Sequence, residues 1–221
     1  MHASENFENR NCDRKFKELG STSFIVLVDQ DGPLADWESE FLRRWKSLFP
    51  ELPCVELSNR MSFHAAQDYE DLVETPAEKT RMRSRAESIY HAKGFYENLP
   101  VIEGAVVALN EMLQAGYDVR ICTSPLTAFR NCVLEKYEWI ERYFGSEFTR
   151  RTILSKDKTI VRGDLLIDDN PDLHQIHSRP PAWAQIVFDA PYNRQVRDRQ
   201  RLGSWKEWSA VVPSFDQIGA P

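Results

Sequence analysis

The sequence predicts an α/β protein built around a parallel β-sheet, and three observations support this fold class. Short apolar runs alternate with amphipathic stretches of helical period, as in consecutive βαβ units. Polar residues follow several of these runs, at the edge where doubly wound sheets bind ligands. The runs, each with the length of a buried strand, are residues 24–29, 118–123, 151–155, 164–168 and 186–189. Together they predict a doubly wound parallel sheet flanked by helices.

Two of the predicted helices lie between the later strands. Residues 104–115 bring Leu109 and Met112 to one face, and Gly116 follows as a helix stop. Residues 128–144 carry apolar side chains at helical spacing and end before a second glycine. The apolar face of that second helix is predicted to contain Phe129, Val133, Ile140 and Phe144.

The stretch between the first and second strands is much longer than a crossover connection requires. Residues 37–49 repeat apolar side chains as an amphipathic helix, at Trp37, Phe41, Trp45 and Leu48. A second helix is predicted over residues 76–92, starting at a proline. We therefore predict a small helical cap inserted after the first strand. The predicted division is an N-terminal tail over 1–20, a core over 21–36 and 95–221, and the cap over 37–94.

Composition limits the classes of partner. The chain of 221 residues is 42% hydrophobic and 11% aromatic, which supports a packed globular protein. Its formal net charge is −6 and it has no long block of Lys and Arg, so a polymeric nucleic acid is not expected as a partner. No apolar stretch is long enough to span a membrane, and the polar first residues do not resemble a secretion signal. The four cysteines fit no metal-binding spacing, which favours reduced thiols and a cytoplasmic protein.

Reactive polar residues follow the first four predicted strands. In parallel sheets these strand ends meet at one edge, so residues distant in sequence are expected to lie together. In chain order they are Asp29 and Asp31, then Thr123 and Ser124, then Lys156 and Lys158, and finally Asp168 and Asp169.

This set of residues suits phosphoryl transfer. Crowded carboxylates repel one another unless a hard divalent cation such as Mg²⁺ lies among them. The cation and a lysine would attract a phosphate, hydroxyls could hold its oxygens, and an ionised aspartate could attack the phosphorus. Each motif alone also has an ordinary explanation, as a turn, a solvated charge or a helix start. Four strand ends that all suit one reaction favour the functional interpretation.

With these motifs the chain resembles the haloacid-dehalogenase (HAD) superfamily of aspartate-nucleophile phosphatases, and within it the 5'(3')-deoxyribonucleotidases. The resemblance extends from about Phe24 to Trp208. The stretches that carry it are "VDQDGPLADWE", "GFYENLPVIEGA", "VRICTSPL", "EKYEWIERYFG", "ILSKDKTIVRGDLLIDD" and "SWKEW". It implies a HAD-like Rossmannoid sheet with a helical cap that closes over the base and the sugar of a nucleotide.

The resemblance also implies a role for each motif residue. Asp29 would be the nucleophile and Asp31 the general acid and base, while Lys158 would neutralise the charge of the phosphate. Thr123 and Ser124 would bind the phosphate. Mg²⁺ would be held by the Asp29 carboxylate, the backbone carbonyl of Asp31 and the Asp169 carboxylate, with Asp168 acting through water.

The cap residues are implied in the same way. Phe63 would pack on the nucleobase, Trp37 would line the pocket, and His64 would do no more than contact the base. The alternative for the two aromatic rings is packing within the cap. Lys156 occupies a position where relatives carry arginine, which weakens the expected phosphate contact. Pro33 replaces the more common valine and removes an N–H from the first motif.

The expected function is Mg²⁺-dependent hydrolysis of (deoxy)ribonucleoside monophosphates through an aspartyl-phosphate. One alternative is a HAD phosphatase that acts on another small phosphate ester, since cap residues can diverge while the core chemistry is kept. The other is a catalytically silent nucleotide-binding protein. The resemblance further implies that the protein could form a homodimer.

Overall fold

Six parallel strands form one sheet in the computed structural model, which describes residues 23–173 and 180–214. Their order across the sheet is β3-β2-β1-β4-β5-β6. Strands β1 and β4 are adjacent at the centre of the sheet. The chain continues from β1 to β2 and β3 on one side, and from β4 to β5 and β6 on the other. Doubly wound sheets bind ligands at the point where the strand order reverses in this way. The strands are β1 (Ile25–Val28), β2 (Asp118–Thr123), β3 (Thr152–Leu154), β4 (Leu165–Asp168), β5 (Ala184–Phe188) and β6 (Arg201–Leu202).

The α-helices of the described ranges lie between β1 and β3, apart from one after β6. Two of them start at residues that the sequence marks clearly: Asp36 accepts a hydrogen bond from the Ser39 N–H at the start of the first, and Pro76 begins the third. The α-helices are α1 (Trp37–Leu48), α2 (Ala65–Glu70), α3 (Pro76–Tyr90), α4 (Ala105–Gln114), α5 (Phe129–Arg150) and α6 (Trp208–Val211). Short 3₁₀ helices cover Leu57–Asn59, Tyr96–Asn98, Lys158–Ile160, Pro191–Asn193 and Trp205–Glu207.

The predicted α/β fold is confirmed, and all five predicted strands are present with small shifts at their ends. The sequence analysis missed β6, α2 and α6, because each is short. It was wrong about two apolar side chains, since Phe129 is 61% exposed and Leu48 is 58% exposed. Leu48 is the last residue of α1 and Phe129 the first residue of α5, so both lie at helix ends.

The main hydrophobic core lies on one face of the sheet. Val26 and Val28 point into it from β1, and α4 and α5 cover it with Leu109, Met112 and Ile140. A smaller cluster lies on the opposite face, around Leu27, Cys122 and Leu166, and is covered by Leu173 and Trp183 from the connection between β4 and β5. Both faces of the sheet are therefore buried, as expected for parallel strands.

Helices α1, α2 and α3 lie in the segment between β1 and α4. Their aromatic side chains pack together, with Trp45 and Tyr69 at 4.0 Å between ring centroids. These side chains belong to the same continuous apolar cluster as the residues of the sheet. The predicted tail over 1–20 lies outside the described residues. None of the helices in the described ranges is both long enough and apolar enough to cross a membrane.

Candidate active site

Three buried carboxylates meet at the carboxyl edge of the sheet. Asp29 directly follows β1, while Asp168 ends β4 and Asp169 follows it. Because Val28 of β1 lies opposite Ile167 of β4, the two strands deliver these residues to the same place. One oxygen from each carboxylate lies within 4.8 Å of the others.

Lys158 bridges two of these carboxylates. Its Nζ lies 2.8 Å from Oδ2 of Asp29 and 2.6 Å from Oδ2 of Asp168. Burial lowers the pKa of Lys158, but the charges of Asp168 and Asp29 raise it by more, so the side chain is a stable ammonium ion. Burial raises the pKa of Asp168 to about 6 in spite of this partner. One positive charge therefore faces three acidic groups.

Asp169 is the least satisfied of the three. The Tyr192 hydroxyl donates a hydrogen bond to its Oδ2, whereas its buried Oδ1 has no donor among the described residues. Burial and the charges of Asp168 and Asp29 raise the pKa of Asp169 well above its usual range. Gly32, with φ of +91°, lets the loop after β1 approach closely, since a Cβ there would overlap the Asp169 carboxylate.

These observations fit a divalent cation. The cluster offers hard oxygen ligands, an excess of negative charge and one buried oxygen without a partner. Asp29, Asp168 and Asp169 could hold such an ion, while Oδ1 of Asp29 already accepts the Gln30 N–H at 2.8 Å.

Asp31 lies beside this cluster and has a partner that the sequence analysis missed. Lys136 of α5 is buried, and its Nζ lies 2.7 Å from Oδ2 of Asp31 and 2.8 Å from Oγ1 of Thr123. Burial raises the pKa of Asp31, with a further rise from Asp29, while Lys136 lowers it; the net shift is upward. A signal for Lys136 was present in the sequence, because it lies on the predicted apolar face between Val133 and Ile140.

The second strand end supplies hydroxyl groups. Thr123 is buried at the end of β2, whereas Ser124 is exposed and donates its hydroxyl proton to the carbonyl of Ser155 at 2.9 Å. Both residues line a cavity of about 340 Å³ whose floor is the carboxylate cluster. The structure therefore brings the first, second and fourth strand ends together with Lys158.

Aromatic residues form the upper wall of the cavity. Trp37 is half-buried and stacks on Phe41 at 4.9 Å, so it lines the cavity and also packs within the helices above it. Phe63 meets the ring of Tyr192 edge-on at 5.8 Å, and His64 is exposed at the start of α2. The wall also contains Tyr90, Tyr96, Arg83 and Leu126.

Lys156 lies away from the cavity wall. Its side chain is exposed, and its Nζ donates to Oγ1 of Thr127 at 2.7 Å. A contact between Lys156 and a phosphate would need the side chain to leave this partner.

Pro33 does not disturb the loop after β1. The N–H groups of Leu34 and Ala35 both reach the carbonyl of Gln30, at 3.1 and 2.8 Å, so the turn does not need an N–H at position 33. The carbonyl of Pro33 instead accepts the indole N–H of Trp205 at 2.7 Å, which ties the loop to the C-terminal part of the core.

Comparisons with known proteins agree with this geometry. The family model described as "5' nucleotidase, deoxy (Pyrimidine), cytosolic type C protein" matches residues 23–215. The chain is 46% identical over 188 residues to a Bordetella bronchiseptica protein provisionally named a 5'(3')-deoxyribonucleotidase, covering 85% of this chain and 95% of that one. It is 40% identical over 200 residues to the human mitochondrial 5'(3')-deoxyribonucleotidase, covering 88% of this chain and 85% of that one.

A solved haloacid dehalogenase-like hydrolase from Streptococcus pneumoniae has the same fold. The two structures superpose with a TM-score of 0.56 at 12% identity, over 85% of this chain and 97% of that one. These matches confirm the resemblance seen in the sequence motifs. The chain belongs to the family of deoxyribonucleotidases described by the cytosolic type C 5' nucleotidase model, on a HAD-like α/β fold.

Proposed function

We propose that the protein is a Mg²⁺-dependent phosphomonoesterase that dephosphorylates (deoxy)ribonucleoside monophosphates through an aspartyl-phosphate. The observation that carries this proposal is the buried cluster of Asp29, Lys158, Asp168 and Asp169 on the floor of a cavity with aromatic walls. Such a floor suits a phosphate with its counter-ion, and such walls suit a nucleoside.

Mg²⁺ would be held by the carboxylates of Asp29 and Asp169 and by the backbone carbonyl of Asp31. Asp168, whose Oδ2 accepts from Lys158 at 2.6 Å, would act through a water molecule. When bound, the cation supplies positive charge that offsets the phosphate oxygens and lowers the repulsion around Asp29.

The chain itself supplies the rest of the phosphate site. Lys158 would neutralise charge on the phosphoryl group, and Thr123 and Ser124 would donate hydrogen bonds to its oxygens. Lys156 would contribute a further contact only after releasing Thr127.

The reaction then proceeds in two steps. Asp29 attacks the phosphorus, and the bond between phosphorus and the ester oxygen of the nucleoside breaks as an aspartyl-phosphate forms. Asp31 donates its proton to that leaving oxygen, a role that its raised pKa favours. Asp31 then accepts a proton from a water molecule that attacks the phosphorus, which releases phosphate and restores Asp29.

The cap, proposed to comprise residues 37–94, would enclose the nucleoside. Phe63 would pack on the base, Trp37 would line the pocket, and His64 would contact the base. A cavity of about 340 Å³ favours a small substrate, in line with the absence of a basic run in the sequence.

We place the protein in the cytoplasm, where thiols stay reduced. Cys54, Cys122 and Cys132 are free thiols in the structure, which supports that placement. The homodimer stays a prediction, which light scattering at micromolar concentration would test.

A substrate screen tests the proposed function. Deoxyribonucleoside and ribonucleoside 5'- and 3'-monophosphates should be hydrolysed with higher kcat/KM than hexose phosphates, measured as phosphate release. Preference for a sugar phosphate would favour a HAD phosphatase of another specificity. Nucleotide binding without phosphate release would show a silent binding protein.

Chelation should abolish turnover. Excess EDTA removes the cation that the carboxylate cluster requires, so phosphate release should fall to the background rate and return when Mg²⁺ is added. Full activity in excess EDTA would show that the cluster works without a metal.

Mg²⁺ should stabilise the fold more at pH 7.5 than at pH 5. Burial raises the pKa of Asp168 to about 6 in the metal-free fold, against about 4 in an unfolded chain. Between about pH 4 and about pH 6, the folded protein therefore holds one proton more than the unfolded chain. The free energy of unfolding of the metal-free protein falls as the pH rises through 6. Mg²⁺ competes with protons for these carboxylates, so the stabilisation of the fold by Mg²⁺ grows over the same pH range.

The measurement is Tm in EDTA and in Mg²⁺ at each pH. The difference between the two values should increase from pH 5 to pH 7.5. Asp198→Asn, which changes an exposed carboxylate, should show the same trend. A difference that does not depend on pH would contradict the expected competition between protons and Mg²⁺.

A further inference from the structure

We propose that Tyr192 is a positioning residue that orients Asp169 for Mg²⁺ and links metal affinity to the position of the cap. The inference rests on the proposed function for the identity of the cation. It concerns a residue outside the motifs at the first four strand ends, in the 3₁₀ helix Pro191–Asn193 after β5.

Tyr192 contacts the metal-binding carboxylate directly. It is buried, and its hydroxyl donates to Oδ2 of Asp169. Oδ2 accepts this bond, so Oδ1 is the oxygen of the carboxylate that is left for a ligand, and it is buried with no partner among the described residues.

The next residue holds the backbone of Asp169. Nδ2 of Asn193 donates to the carbonyl of Asp169 at 2.8 Å and to the carbonyl of Phe188 at 2.8 Å. The short helix therefore fixes Asp169 at both its main chain and its side chain, and Gly32 leaves room for the carboxylate, because a Cβ there would overlap it. An aspartate held at its carbonyl and at Oδ2 has little freedom to turn its ligand oxygen away.

The ring of Tyr192 is in turn held by residues of the cap. The guanidinium of Arg60 lies over it, 5.5 Å from the ring centroid, and Phe63 meets it edge-on at 5.8 Å. Arg60 is buried and fixed by Asp68 at 2.6 Å and by the carbonyl of Ser62 at 2.9 Å. A movement of the cap would thus disturb the ring, and through it the hydroxyl on Asp169.

This arrangement has a thermodynamic consequence. Groups that orient a metal ligand typically alter metal affinity by roughly 10- to 100-fold when they are removed. If the cap holds Tyr192 in place, then contacts that keep the cap packed against the core increase Mg²⁺ affinity. Bound Mg²⁺ then favours the packed position of the cap by the same factor.

The test uses the full chain and Mg²⁺ alone as the probe. Tyr192→Phe keeps the ring and removes the donor, so its Mg²⁺ dissociation constant, from the rise of Tm with Mg²⁺ concentration, should increase about 10-fold or more. The Mg²⁺ concentration that gives half-maximal activity should shift equally, and kcat should recover at saturating Mg²⁺. A purely structural defect would not be rescued by the metal.

Two further variants isolate the two parts of the proposal. Tyr90→Phe removes the same hydroxyl group from the same cavity, where Tyr90 packs on Trp37, and should leave Mg²⁺ affinity unchanged. Phe63→Ala leaves every carboxylate of the cluster in place and should still weaken Mg²⁺ binding, because it loosens the ring of Tyr192.

The outcomes are distinct. Wild-type affinity in Tyr192→Phe, with Mg²⁺ binding abolished in Asp169→Asn, would overturn the inference and leave the proposed function intact. Wild-type affinity in Phe63→Ala would overturn the link to the cap. Failure of the wild-type protein itself to bind Mg²⁺ would overturn the proposed metal site together with the inference.

Discussion

Asp29→Asn is expected to lower kcat for a nucleoside monophosphate by about 10⁴-fold or more, because an amide cannot attack phosphorus. Asp29 is the one carboxylate of the cluster that directly follows β1 and also contacts Lys158, at 2.8 Å. The substitution keeps the shape of the side chain, and the hydrogen bond from the Gln30 N–H can still be accepted by the amide oxygen. The loss should therefore reflect chemistry and not a changed fold.

Two measurements check this expectation. Steady-state phosphate release gives kcat, and rapid quenching with labelled substrate should trap phosphoprotein in the wild type but not in Asp29→Asn. The matched control is Asp198→Asn, which makes the same change on the surface and should retain wild-type turnover. Wild-type turnover in Asp29→Asn would exclude the covalent route.

The floor of the site could be predicted from the sequence because it follows from local rules. Apolar runs predict strands, a parallel sheet brings their carboxyl ends to one edge, and acids directly after neighbouring central strands are then expected to lie together. Asp29, Asp168 and Asp169 converge for this reason, and so does Lys158, which comes soon after β3. Each of these residues is within a few positions of a strand end, so no long-range information was needed.

The supporting residues could not be predicted in this way. Lys136 lies within α5 on its predicted apolar face, which signals burial, but its partners Asp31 and Thr123 depend on how the helix packs on the sheet. Tyr192 comes after β5, whose own acid, Asp189, pairs with Arg201 outside the carboxylate cluster, and it reaches Asp169 only through the turn of the 3₁₀ helix. Both depend on tertiary packing, which local periodicity does not encode.

Two deviations from the motif pattern have different outcomes. Pro33 removes no hydrogen bond from the loop, since the turn is closed by the N–H groups of Leu34 and Ala35. Lys156 is directed to Thr127, and its expected role at the phosphate stays a prediction. The sequence revealed both deviations, but only the surrounding hydrogen bonds decide what each one changes.

Lys136→Met is expected to lower kcat for a nucleoside monophosphate by about 10²-fold and to affect p-nitrophenyl phosphate far less. Lys136 holds Asp31 and Thr123 at 2.7 and 2.8 Å, so its removal frees the proposed general acid to turn away from the leaving oxygen. A nucleoside leaves as a strongly basic alkoxide that needs the proton. Nitrophenolate is a stable anion and leaves without it.

The ratio of kcat for the nucleoside monophosphate to kcat for p-nitrophenyl phosphate distinguishes a loss of Asp31 positioning from other causes. A defect in folding or in phosphate binding would reduce both rates together, because both substrates share the phosphoryl group and Asp29. Lys46→Met is the matched control, since it removes a half-exposed lysine paired with Glu56 on the surface and should change neither rate. Equal losses on both substrates in Lys136→Met would mean that Lys136 serves the phosphate or the fold and does not position the acid.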